Sequence, residues 1–158
     1  MPEIKAILGS VILTETPLSV DMKENADLMI LGSRQGRVAC RVRDHYYYKR
    51  WPYQFTIRSK VASGKKTELD KIIEGLGDFF FYGFADKEGR HLCKWFVGDL
   101  NAFRGWFTGY LRANGTEPGI NQSNGGGGSD FKVFNYADIP GFILKEGDAS
   151  FFGQMEML

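Results

Sequence analysis

The chain has 158 residues, with Lys+Arg 20 against Asp+Glu 19 and a formal net charge of +1. That length suits one domain able to bury a core without disulfides or a structural metal, and the even charge balance excludes a globally polycationic protein. No apolar run approaches the ~18–20 residues a bilayer span needs, and Cys40 and Cys93 sit singly in apolar runs, so the expectation is a soluble protein of a reducing, cytoplasmic compartment.

In chain order, the apolar and β-branched run Ile4 to Leu13 predicts a strand near the Gly9-Ser10 break. Asp27 opens a short apolar strand, Leu28 to Leu31, and Gly32 to Gly36 reads as a hairpin loop. Residues 37–43 alternate. Val38, Cys40 and Val42 fall on one face, with Arg37, Ala39, Arg41 and Arg43 on the other, which is expected to face outward or line a polar cleft. Residues 44–53 read as a loop or ragged strand ended by Pro52. Gln54 to Lys60 alternates again, with Phe55 and Ile57 inward when Arg58 and Lys60 face out.

Thr67 opens the clearest helix. It suits an N-cap, Glu68 and Asp70 occupy the first turn, and Leu69, Ile72, Ile73 and Leu76 follow the helical period up to the Gly75 and Gly77 stop. Phe79 to Ala85 is apolar on both faces and predicts a central, covered strand. Residues 86–90 make a hairpin turn into an antiparallel strand, Leu92 to Val97. Asp99 caps a second helix with Leu100, Phe103, Phe107, Tyr110 and Leu111 as its apolar stripe. Residues 114–130, with Asn114-Gly115, Pro118-Gly119 and a run of four glycines, read as a flexible loop. Phe131 to Tyr136 reads as the last strand, with Ile139 to Leu144 packing locally. The expected architecture is a single α+β domain over residues 1–158, built on a single mixed, mainly antiparallel sheet with two main helices.

Charge is concentrated in one place. Residues 41–60 carry Arg41, Arg43, Lys49, Arg50, Arg58 and Lys60 against Asp44 alone, interleaved with His45, Tyr46, Tyr47, Tyr48, Trp51 and Tyr53. The chain as a whole is 15% aromatic, more ring surface than a small core readily hides, so some rings are expected at a working surface. Cations for phosphates interleaved with flat rings for unpaired bases are the chemistry of contact with DNA or RNA. The candidate nucleic-acid-binding residues are therefore Arg41, Arg43, Tyr47, Lys49, Arg50, Trp51, Arg58 and Lys60. The same composition also suits a protein-binding face, such as that of the small inhibitors carried by phages and mobile elements. His45, His91 and Cys93 have no ligand-spaced or activating neighbours, and the glycine run lacks the Lys-Ser/Thr of a phosphate-binding loop.

The order strand, hairpin, strand, strand, helix, strand from Asp27 to Asp86 resembles a divergent PD-(D/E)XK nuclease-like core. The resemblance implies a restriction-endonuclease-like fold, with Asp27 at the position of the family's first acid. It implies Asp27, Glu68, Lys71 and Asp78 as candidate catalytic residues, with Asp27, Glu68 and Asp78 as ligands for Mg2+. The chain departs from the family where an acid-x-Lys triplet is due. Arg41 and Arg43 stand there, and cations cannot ligate Mg2+, so the metal site is either lost or rebuilt from Glu68 or Asp78.

Overall fold

The structure, a computed structural model, describes residues 2–14 and 37–148. The Asp27 position, the strand expected at 28–31 and its hairpin lie outside the described residues. The elements in order are α1 (Pro2–Thr14), β1 (Val38–Arg43), α2 (His45–Arg50), β2 (Gln54–Val61), α3 (Glu68–Ile73), β3 (Phe79–Ala85), β4 (Leu92–Asp99), α4 (Leu100–Asn114), β5 (Ile120–Ser123), β6 (Ser129–Asn135), a 3-10 turn (Tyr136–Asp138) and β7 (Ile143–Asp148).

The α+β class holds, but there are two sheets rather than one. The first is four-stranded and mixed, in the order β1-β3-β4-β7, with β1 parallel to β3 and the other pairs antiparallel. The second is three-stranded and antiparallel, in the order β2-β6-β5. The parallel pairing of β1 with β3 forces a long crossover. α2, β2 and α3 all lie within it, so the crossover delivers one strand of the second sheet.

The core follows from the period of β3. Phe80, Tyr82 and Phe84 point to one side, where they meet Phe55, Phe96, Phe103, Phe134 and Phe142. Phe81 points to the other, against Trp95 and Ile7 of α1. The central strand is therefore covered on both faces, as its unbroken apolar sequence predicts. Rings are packed close enough that glycine is required beside them, at Gly98, Gly147 and Gly119 among the described residues. A Cβ at Gly98 would fall 2.5 Å from the Phe142 ring, and one at Gly147 would fall 2.7 Å from Trp95. At Gly83 it would meet Leu92 at 2.9 Å, the close approach expected of a glycine inside an aromatic strand.

Four expectations are corrected. The N-terminal apolar run is a helix, not a strand: Ile4, Ile7 and Leu8 share one helical face against the sheet, and a run this long favours a helix. Residues 45–50 are helical because the Asp44 carboxylate accepts from the Tyr46 N–H at 3.0 Å, while Lys49 and Arg50 sit at the favourable C-terminal end. Within the expected loop, Ile120–Ser123 forms an exposed strand paired with β6, and the glycine run becomes the hairpin turn between them. Beyond β6, Ile143–Asp148 adds a further strand at the edge of β4. The Thr67 helix is as expected at its start, where Thr67 and Asp70 form a reciprocal capping box. It stops at Ile73, which leaves Leu76 45% exposed.

Candidate nucleic-acid interface

Side chains that are directly paired across an antiparallel sheet share a face. On the second sheet this gives two rows, Thr56–Val133–Ile120 and Arg58–Phe131–Gln122. The opposite face buries Phe55, Ile57 and Phe134 in the core. The rows therefore form a floor of mixed polar and apolar side chains, bounded by β1, α2 and α3.

Arg41 and Arg43 do not face outward. The strand turns Cys40 and Val42 to solvent, with Val42 44% exposed, and aims its arginines over this floor. That is the polar-cleft alternative anticipated from the alternation of residues 37–43. Arg41 is the better held of the two. Its guanidinium donates to the Glu68 carboxylate at 2.7 Å and to the backbone carbonyl and hydroxyl of Thr56 at 3.2 and 3.3 Å. It also lies 5.4 Å from the centre of the Phe131 ring, which Arg58 approaches at 5.7 Å. Both distances fall within cation–π range.

Two cavities open along the floor. The first, about 510 Å3, lies between β1, β2 and α3, and Arg37, Arg41, Arg58, Lys66 and Lys71 line it. Glu68 is the one acid in its lining. The second, about 290 Å3, is aromatic and amide-lined, with Arg43, Tyr47, Trp51, Gln54, Thr56 and Gln122 around it. Arg41 lines the first cavity and bonds to Thr56, which lines the second, so the two meet at this side chain. Tyr82 closes the second cavity from below. Burial pushes its phenol up, against the pull of the Thr56 hydroxyl 3.5 Å away and of Arg43 and Arg41, and so it is neutral at physiological pH.

The remaining candidates fall around this floor unevenly. Arg43 stacks 3.7 Å from the Tyr47 ring centre, and Arg50 stacks 3.8 Å from that of Tyr46. Trp51 is 41% exposed and packs beside both tyrosines. Lys49 sits exposed in the last turn of α2. Lys60 lies apart, 4.0 Å from Asp130 and well exposed. The basic segment is therefore divided. Arg41 and Arg58 belong to the cationic cavity, Arg43, Tyr47 and Trp51 to the aromatic one, and Arg50, Lys49 and Lys60 to the surrounding surface.

Among the expected catalytic residues, Glu68 and Lys71 line the first cavity and Asp78 does not. The Glu68 carboxylate accepts from Arg41 and from the Arg58 backbone N–H at 3.2 Å, rather than pairing with Lys71 along the helix. Asp78 clamps the start of the parallel pair. Its carboxylate accepts from the Arg37 N–H at 2.9 Å, and its own N–H donates to the Arg37 carbonyl. Among the described residues, no three or more His, Cys, Asp or Glu side chains are grouped to hold a metal ion. His45 Nδ1 stands 3.6 Å from the Cys93 thiol, whose pKa is raised by burial and by Asp86 and Glu88. A raised pKa disfavours the thiolate, which is the nucleophilic form.

Lys66, Phe131, Gln54 and Gln122 were not singled out by sequence. Gln54, Thr56 and Arg58 do fall on one side of an alternating strand, which is a legible polar face. Phe131 and Gln122 join that face only through strand pairing.

No protein family matches the chain, and neither a curated protein nor a solved structure shows significant similarity to it. No described helix is long and apolar enough to cross a membrane.

Proposed function

We propose that the chain binds single-stranded or unpaired nucleic acid along the outer face of the three-stranded sheet. One observation carries this reading: five cations from three segments of the chain line one cavity that adjoins a second cavity walled by rings. Phosphates match the first chemistry and base faces match the second. Each stacked base contributes ~1–3 kcal/mol, and each neutralised phosphate adds a term that weakens with salt. Glu68 fixes the Arg41 guanidinium in place, and Arg37, Arg58 and Lys71 line the same cavity.

The test is fluorescence anisotropy with labelled single- and double-stranded oligonucleotides. For about five phosphate contacts, affinity for a single strand should fall roughly 10²-fold as salt rises from about 50 to 200 mM. Arg58→Glu with Lys71→Glu should weaken binding and flatten that salt slope. No binding at the lowest salt removes the proposal. Cleavage of the same strands in Mg2+, lost on Asp27→Ala with Glu68→Ala, would extend the reading to the metal-dependent chemistry that the family resemblance implies.

A further inference from the structure

We infer that β5 is a self-association edge, which pairs antiparallel with the β5 of a second copy of the chain. The inference does not rest on nucleic-acid binding. Four strands border the described sheets, β1 and β7 in one and β2 and β5 in the other. An open edge is a template for further pairing, and folded proteins usually blunt it with charge, proline or a bulge. β1 carries Arg41 and Arg43, β2 carries Arg58 and Lys60 with a break in register between them, and β7 carries Lys145, Glu146 and Asp148. β5 reads Ile-Asn-Gln-Ser, with no charge, no proline and no break in register. All four of its residues are exposed, Ile120 by 69%.

The backbone fixes which groups the edge offers. Antiparallel pairs alternate between those that exchange hydrogen bonds and those that do not. The Asn124 N–H donates to the Ser129 carbonyl at 3.1 Å, and the register continues unbroken through Ser123–Asp130, Gln122–Phe131 and Asn121–Lys132. Gln122 is therefore bonded to β6, while Asn121 and Ser123 turn their N–H and carbonyl groups to the open side. A second β5 meets these groups in one register. With Gln122 on a twofold axis, Asn121 of one copy exchanges both backbone bonds with Ser123 of the other. Centring on Asn121 instead would call on Gly119, whose φ of +89° takes it out of the strand.

The side chains suit the same axis. Directly opposed residues bring their Cβ atoms to ~4.5–5.5 Å. Gln122 faces its own copy, and a primary amide carries both donors and an acceptor, so two of them satisfy each other. Asn121 faces Ser123 on the other side of the sheet, and no like charges meet. An axis that sets two strands antiparallel within one sheet stands perpendicular to it. The two three-stranded sheets therefore join into a six-stranded one, with their outer faces on the same side. Four residues from each copy bury far less than the roughly 1,200–2,000 Å2 of a standard stable interface. The pairing is accordingly weak, with a Kd on the order of 0.1–1 mM.

Sedimentation velocity over roughly 10 μM to 1 mM brackets that constant. The weight-average mass should climb from the 17.8 kDa of one chain toward twice that value. Asn121→Pro removes an outward N–H without breaking a bond to β6, and Gln122→Lys sets a charge opposite its own copy. Both positions are exposed, so both variants should keep the parent fold and stay at the mass of one chain where the parent associates. Hydrogen exchange on the parent needs no variant. The Asn121 and Ser123 amides should gain protection as concentration rises, while the Gln122 amide is protected throughout. A single-chain mass at every concentration would overturn the inference and leave the edge to an extended segment of some other protein. Association that survives both variants, or Asn121 and Ser123 exchange that ignores concentration, would overturn it equally.

Discussion

Arg41 shows how one side chain is shared between stability and ligand contact. It is mostly buried, its charge is met by one carboxylate, and its remaining donors reach Thr56. Reversing that charge sets two carboxylates against each other in a partly desolvated cleft. Arg41→Glu should therefore destabilise the fold by about 2–3 kcal/mol. Arg43 makes a ring stack and no ion pair among the described residues. Arg43→Glu should cost no more than about 1 kcal/mol. Urea unfolding of both variants separates them, and equal losses would show that Arg41 is not the better-anchored residue. Sequence alternation placed both arginines on one face correctly. It could not say that this face looks onto a second sheet, because that depends on where the crossover delivers β2.

At the scale of elements, what was legible in the sequence was whatever carries its own local punctuation. The Thr67 cap, the Asp99 cap and the hairpin at residues 86–90 are specified by residues within a few positions of one another, and each forms as expected. α2 was missed although Asp44 caps it, because three consecutive tyrosines and a following proline imitate a broken strand. β5 has no sequence signature at all. Its four residues are exposed, and they become a strand only by pairing with β6. α1 is tied to the β3–β4 hairpin by His91 Nδ1 and the Glu3 carboxylate, 2.7 Å apart. The bond to Glu3 raises the His91 pKa above its ordinary value, Asp86 assists, and Arg90 opposes it. The sign follows from linkage: the protonated form is favoured in the folded state, so this tie is fully present below about pH 6.5 and is lost as pH rises through the higher folded value. Between about pH 6 and about pH 8 the parent should lose more melting temperature than His91→Gln does. Identical pH responses would show that the tie contributes nothing.

Across the whole molecule, β3 is the common wall of two apolar clusters. Phe80, Tyr82 and Phe84 belong to one, Phe81 to the other, and neither cluster can lose its strand without exposing its neighbour. The described portion is expected to unfold in one transition, with ring packing and secondary structure lost together. Ile7, fully buried against that wall, tests the coupling. Ile7→Ala should cost ~2–4 kcal/mol and shift the near- and far-ultraviolet dichroism transitions equally. Separate midpoints would show that α1 is an appendage rather than part of the cooperative unit.

The guanidinium–tyrosine stacks on α2 have one more consequence. Arg43 and Arg50 already rest on Tyr47 and Tyr46 in the free protein, so much of the rotational freedom of two long side chains is surrendered during folding and not at the moment of association. An immobilised side chain otherwise takes about 0.5–1.5 kcal/mol from the affinity. Lysine keeps the charge but has no plane to lay against a ring, and so a polyanion arriving at this helix finds its counter-charges already in position only while they remain arginine.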